Sequence, residues 1–112
     1  MAKIFEKPTS IRQVLTCKSK WTKKTSHKNL LKDDPELPRH LMFEKHCLHG
    51  ALWCKVEKPI QQYIVVKEVI DKLCEQNKLP LKWYKSVLDF NDHPTTEWKH
   101  IQLVLRNLPK GI

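Results

Sequence analysis

The residues with the most evident chemistry form a basic run that contains no acidic residue. Between residues 12 and 32 the positive side chains are Arg12, Lys18, Lys20, Lys23, Lys24, Lys28 and Lys32, with Trp21 among them. An acid-free cluster of this kind attracts phosphate groups and releases counterions when it binds them. Because most of the cluster is lysine, which lacks the planar fork of arginine, we expect contacts to phosphate rather than to bases. The run, including Trp21, is therefore predicted to bind nucleic acid, either DNA or RNA.

The net charge is concentrated in the first third of the chain. Residues 1–32 hold nine Lys or Arg against Glu6 alone, so they carry +8 of the total +9. Residues 33–112 hold twelve Lys or Arg against eleven Asp or Glu, a net charge of +1. We predict one domain with three parts: an extended arm over residues 1–9, a basic segment over residues 10–32 and a near-neutral body over residues 33–112.

The role of Trp21 and the partner of the basic segment each allow two interpretations. Trp21 can stack on bases, as aromatic residues do in single-strand binding proteins, or it can pack against the body. The basic segment can equally dock on an acidic protein partner, in which case the protein is a non-enzymatic adaptor or inhibitor. Nucleic acid is the preferred partner because the run is acid-free, and the acidic protein partner is the alternative.

Histidines and cysteines, the usual zinc ligands, are concentrated between residues 40 and 54: His40, His46, Cys47, His49 and Cys54. On a single helix, Cys47 and Cys54 would lie about 10.5 Å apart along the axis. Two thiolates on one tetrahedral zinc must lie within about 4 Å of each other. Since no Cys-x-x-Cys turn is present either, we expect no metal site and a protein that folds without zinc.

No arrangement of residues indicates catalysis. Cys17 lies within the basic run but has no histidine or acid near it in sequence to serve as a base. The acidic pairs Asp33/Asp34 and Asp89/Asp92 fall at predicted helix ends, where capping accounts for them. We therefore expect no catalytic residues, no cofactor and no enzymatic activity.

Composition limits the fold and the cellular location. A chain of 112 residues with 40% hydrophobic residues can bury one core. Glycine, which tight hairpins and nucleotide-binding loops need, occurs only at positions 50 and 111. The four cysteines are scattered, no secretory signal is evident, and no apolar run could span a bilayer. These features predict an intracellular, cytoplasmic protein.

Helical periodicity predicts an all-α domain of five or six short helices. The first should begin after Ser10, with Gln13 completing a capping box, and include Trp21 on its apolar face. Residues 26–33 form a short turn or helix. Later helices are predicted over Pro38–His49 with Gly50 as the residue after the end, Pro59–Asn77, Leu81–Phe90 and Glu97–Leu108.

Two stretches allow another interpretation. Residues 51–66 contain strand-forming residues and could include a short strand instead of continuous helix. The segment from Val66 to Phe90 can be drawn as a helix-turn-helix, with Lys82 and Lys85 on the exposed face of the second helix. That second pattern is weak, because any two helices joined by a short turn resemble it.

Overall fold

The structure is a computed structural model that describes residues 8–54, 59–81 and 83–112. Most of the predicted arm, the connection at residues 55–58 and Lys82 lie outside these ranges. The described helices and strands are, in chain order, 3-10 helices Ile11–Gln13 and Lys18–Lys20, strand β1 (His27–Leu30), helix α1 (Arg39–Met42), strand β2 (Phe43–His46), and helices α2 (Leu48–Trp53), α3 (Pro59–Glu75), α4 (Val87–Asp92) and α5 (Trp98–Asn107).

The all-α prediction is wrong, because β1 and β2 form a two-stranded antiparallel sheet. Their register places His27 opposite His46, Lys28 opposite Lys45 and Leu30 opposite Phe43. Residues 26–33 were expected as a turn or helix, and β2 falls inside the helix predicted over Pro38–His49. Neither strand alternates cleanly between polar and apolar residues. Pairing with a distant segment decides their conformation, and local periodicity does not report such pairing.

The predicted N-terminal helix is only a 3-10 turn. Ser10 makes no side-chain cap, and the Gln13 carboxamide oxygen accepts instead from the backbone N–H of Thr9 at 2.7 Å. The Ile11 N–H donates to the carbonyl oxygen of Ile112 at 2.7 Å, which ties this turn to the end of the chain. Since Ile11 is fully buried, the beginning of the basic segment packs in the core.

Gly50 lies inside α2 rather than after the end of a helix. Cys47 is the N-cap of α2, and its Sγ accepts from the Gly50 N–H at 3.1 Å. The carbonyl of Ser26, just before β1, passes directly over this turn and accepts from the Cys47 N–H at 3.0 Å. A Cβ atom on Gly50 would lie 2.2 Å from that carbonyl oxygen. Glycine is therefore required here for close approach of two backbones, not for a positive φ.

Helix α3 confirms the prediction of a helix over most of residues 59–77. Only one side of the helix is buried, since Ile60 and Ile64 are 72% and 53% exposed. The helix ends at Glu75, and Asn77, two residues further on, has a φ of 57°, the left-handed conformation typical of a residue after a helix.

The helix predicted over Leu81–Phe90 is mostly absent, since α4 begins only after Ser86, whose hydroxyl caps it by accepting from the Asp89 N–H. An irregular connection therefore separates α3 from α4, and the helix-turn-helix interpretation is wrong. Trp83, which lies in this connection, is 75% exposed. Tyr84 is the buried aromatic of this connection, and its hydroxyl donates to Asp71 of α3.

Helix α5 was predicted closely. Glu97 is its N-cap and forms a capping box with His100, and Ile101 and Leu105 are buried as expected. The core that these residues join extends from Ile11 to Ile112 and includes side chains of α2, α3, α4 and α5. The basic segment and the helices therefore pack around one another.

Replacing Gly50 with Ala should destabilise the protein. In an open helix this change stabilises by about 0.5–1 kcal/mol. Here the added methyl group would collide with the Ser26 carbonyl, so we expect a loss of about 1–3 kcal/mol or more, measured by urea unfolding. Gln61→Ala on the exposed side of α3 should change stability by less than about 0.5 kcal/mol. A Gly50→Ala protein as stable as wild type would show that the two backbones do not need this close approach.

Candidate nucleic-acid interface

Part of the basic segment forms one wall of an open groove on the surface, which we call the lysine groove. Its lining residues are Lys18, Ser19, Trp21, Thr22, Lys23 and Lys45. Three of these are lysines, and none of the lining residues that the structure describes is acidic. The groove therefore concentrates positive charge beside an aromatic ring, an arrangement that suits a phosphate-containing ligand.

Lys45 brings the body of the protein into this surface. It lies on β2 directly opposite Lys28 of β1, so two like charges are neighbours across the strand pair. Like charges in this position destabilise a sheet. The acidic side chain of the same strand, Glu44, accepts instead from the Asn29 amide at 2.7 Å. An anion bound between Lys28 and Lys45 would relieve their repulsion.

Trp21 is held in the groove by its indole nitrogen. The Nε1–H donates to Asn91 Oδ1 at 2.7 Å, and the ring lies 6.1 Å from the ring of Trp98. The Nζ of Lys23 lies over the Trp21 ring, 5.7 Å from its centroid, and donates to the carbonyl oxygen of His93 at 2.8 Å. Trp21 is half-buried and packs against the core, so much of its ring surface contacts neighbouring residues of the protein.

Asn91 joins three segments through one buried side chain. Its Oδ1 also accepts from the backbone N–H of Leu48 at 2.9 Å, and its Nδ2 donates to the carbonyl oxygen of Thr22 at 3.0 Å. The side chain is fully buried. Asn91 therefore fixes the groove-forming residues 21 and 22 against the first turn of α2 and against its own helix, α4.

Arg12 lies away from the lysine groove and contacts the end of α5. Its Nε donates to the carbonyl oxygen of Leu105 at 2.8 Å, and its Nη2 donates to that of Leu108 at 2.6 Å. A cation at a helix C-terminus satisfies carbonyls that have no partner within the helix and opposes the negative end of the helix dipole. Arg12 therefore has a structural role in this arrangement.

The other predicted lysines do not line the groove. Lys20, Lys24, Lys28 and Lys32 are exposed. Lys24 has a φ of 67°, and its backbone N–H donates to Asp92 Oδ1 at 2.7 Å. The backbone of this turn is thus attached to the last residue of α4.

Lys45 is the charged residue of the groove that was not predicted from the sequence. It lies in the stretch predicted as the helix Pro38–His49, outside the acid-free run. No periodicity in that stretch indicates a strand, and only the pairing of β1 with β2 places Lys45 beside the basic segment.

The histidines and cysteines considered as metal ligands are divided by the fold. Cys47 is used as the cap of α2, whereas His46 and Cys54 lie close together and His27 of β1 joins them. Burial, together with the nearby His27, lowers the pKa of His46 to about 4, so its ring is neutral at neutral pH. Burial also lowers the pKa of His40 and raises that of the Cys47 thiol.

Cys17 is exposed, and a hydrogen bond with Ser19 lowers the pKa of its thiol. Within the described residues no histidine hydrogen-bonds to this thiol, so the arrangement of a nucleophile with its base is not formed there.

None of the helices in residues 8–54, 59–81 and 83–112 is long and apolar enough to cross a membrane.

Comparison with known proteins returns no match: no protein-family model, no curated protein and no solved structure matches this chain. The assignment of a function therefore depends on the residues and their geometry.

Replacing Asn91 with Leu should be strongly destabilising. The change leaves the Trp21 indole N–H, the Leu48 N–H and the Thr22 carbonyl without their partner, and each buried unpaired group costs about 1–3 kcal/mol. We expect a loss of at least about 3 kcal/mol in the unfolding free energy. Asn107→Leu, at the exposed end of α5, is the matched control and should change it by less than about 0.5 kcal/mol. Equal stability of the two variants would contradict the role given to Asn91.

Proposed function

We propose that the protein binds nucleic acid through phosphate contacts in and around the lysine groove, without enzymatic activity. The observation that carries the proposal is the convergence of Lys18 and Lys23 from the basic segment with Lys45 from β2 in one acid-free groove. Lys28, opposite Lys45, extends the same positive surface along the strand pair. A chain of phosphates spaced along a backbone can contact several of these ammonium groups at once, which a single small anion cannot.

The geometry favours binding to the nucleic acid backbone over reading of bases. The indole N–H of Trp21 is paired with Asn91, and Lys23 lies over the ring. A base could stack on Trp21 only by displacing that lysine. Arg12, the arginine of the basic run, is paired with carbonyls of α5 and so does not supply a bidentate contact to guanine. The proposed binding is therefore independent of sequence.

Removal of three charges in and beside the lysine groove should weaken binding more than removal of three charges elsewhere. The test variant is Lys18→Gln/Lys28→Gln/Lys45→Gln. The matched control is Lys72→Gln/Lys78→Gln/Lys110→Gln, which changes the net charge equally at exposed positions. Affinity for a labelled oligothymidine strand is measured by fluorescence anisotropy between about 50 and 200 mM salt. We expect a loss of at least about tenfold for the groove variant, and a log–log salt slope flatter by about 2, since each phosphate contributes about 0.7.

Two outcomes would contradict this proposal. Equal loss in the two triple variants would mean that net charge alone attracts the strand. Absence of any wild-type complex at low salt, with single-stranded or duplex nucleic acid, would favour an acidic protein partner for the same surface.

Trp21→Ala separates a packing role from a stacking role. Because Trp21 packs against Trp98 and bonds to Asn91, we expect the unfolding free energy to fall by about 3 kcal/mol. Measured at a temperature where the variant is folded, affinity for oligothymidine should stay within about twofold of wild type. A drop of about 1–3 kcal/mol in binding free energy with unchanged stability would instead assign Trp21 to base stacking.

A further inference from the structure

Three side chains of the kind that bind zinc meet beside the strand pair, and we call them the His-Cys cluster. His27 comes from β1, His46 from the end of β2, and Cys54 directly follows α2. One candidate ligand atom from each lies within 4.8 Å of the other two. The Nδ1 atoms of His27 and His46 are 2.8 Å apart, and Cys54 Sγ is 3.7 Å from His46 Nδ1.

These separations are close to those around a tetrahedral zinc ion. Zinc–nitrogen bonds of about 2.0–2.1 Å and a zinc–sulfur bond of about 2.3 Å place two nitrogens about 3.3 Å apart and a nitrogen and a sulfur about 3.6 Å apart. The sulfur–nitrogen distance in the cluster already fits. The two imidazoles need to separate by about half an ångström, which small rotations of the rings provide.

We propose that His27, His46 and Cys54 bind one zinc ion. The donor set of two imidazoles and one thiolate suits zinc, a borderline-soft ion that is bound by both. His40 acts on the His46 ring, and its Nδ1 is buried without a hydrogen-bond partner among the described residues. Its ring nitrogens lie outside the group of atoms within 4.8 Å of one another, so His40 would have to move to take the fourth position. From the sequence, no zinc site was expected because Cys47 and Cys54 would lie too far apart on one helix. The cluster in the structure does not contain Cys47; its other ligands beside Cys54 are His46 and His27, and His27 is distant in sequence.

The surroundings orient the ligands. Backbone groups of His40 and Phe43 act on the His46 ring and oppose the lowering of its pKa by burial. Outer contacts of this kind fix the ring orientation of metal-binding histidines. The His27 ring lies over Gly50, because a Cβ atom there would be 3.3 Å from His27 Cε1. The absence of a side chain at Gly50 therefore makes room for His27 as well as for the Ser26 carbonyl.

The protonation changes on binding are simple. Without a metal, one of the two facing Nδ1 atoms carries the proton of their hydrogen bond. When zinc binds to both Nδ1 atoms, the proton of that imidazole moves from Nδ1 to Nε2, and the thiol of Cys54 loses its proton to solvent. Each zinc ion bound thus releases one proton and links β1, β2 and the end of α2.

The test uses cobalt(II) as a spectroscopic probe on the full chain after treatment with a chelator. A tetrahedral site with one thiolate gives intense d–d bands and a sulfur-to-cobalt charge-transfer band. We expect both in wild type, saturating at one cobalt per chain and disappearing when zinc is added. Cys54→Ser should lose the charge-transfer band, and His27→Gln should weaken cobalt binding by at least about tenfold.

Cys17→Ser and Cys74→Ser are the matched controls, because they remove a thiol at an exposed and at a half-buried position outside the cluster. Both should keep the wild-type cobalt spectrum. Zinc should also raise the unfolding temperature of wild type and of these controls, but not that of Cys54→Ser. None of these measurements includes nucleic acid, so their outcome is independent of the proposed binding function.

A measurement on the wild type covers the case in which Cys54→Ser does not fold. Zinc-edge X-ray absorption of the loaded protein should show one sulfur at about 2.3 Å and the remaining ligands at about 2.0–2.1 Å. A shell without sulfur would overturn the proposal. So would the absence of a charge-transfer band in wild type, its persistence in Cys54→Ser, or its loss in Cys17→Ser.

Discussion

The buried side chain of Asn91 is the constraint on which the arrangement of the basic segment depends. A carboxamide offers two donors and an acceptor oxygen, and Asn91 uses both kinds on segments that are distant in sequence. Its contacts with residues 21 and 22 hold one wall of the lysine groove against α2 and α4. An apolar residue of similar size could fill the same volume but would leave those groups unpaired in the core, where this is costly.

The same fold places like charges together instead of separating them. Lys28 and Lys45 are opposite each other across two strands, and Lys23 is drawn over Trp21 towards the backbone of His93. A positive surface assembled from two segments has a cost to stability that a folded protein must offset elsewhere. The Asn91 contacts and the burial of Ile11 supply such compensation, because they attach the basic segment to the core.

Sequence reasoning succeeded where local signals decide the structure. Helices α3 and α5 have long apolar faces, and Glu97, where the last helix was predicted to begin, is the N-cap of α5. It failed where distant contacts decide. The strands β1 and β2 are four residues each, and Gly50 was taken for a helix end although its role is close approach to Ser26. The charge of the N-terminal third was readable from composition, but the addition of Lys45 to that surface was not.

Strand β1 connects the two proposals physically. His27 and Lys28 are consecutive residues of this strand. Lys28 is opposite Lys45, and one residue earlier His27 is opposite His46. A two-stranded sheet of this length is marginally stable on its own. An interaction that holds His27 against His46 also fixes the register that places Lys28 opposite Lys45. The His-Cys cluster therefore supports the geometry of the charged surface without contacting the nucleic acid proposed to bind there.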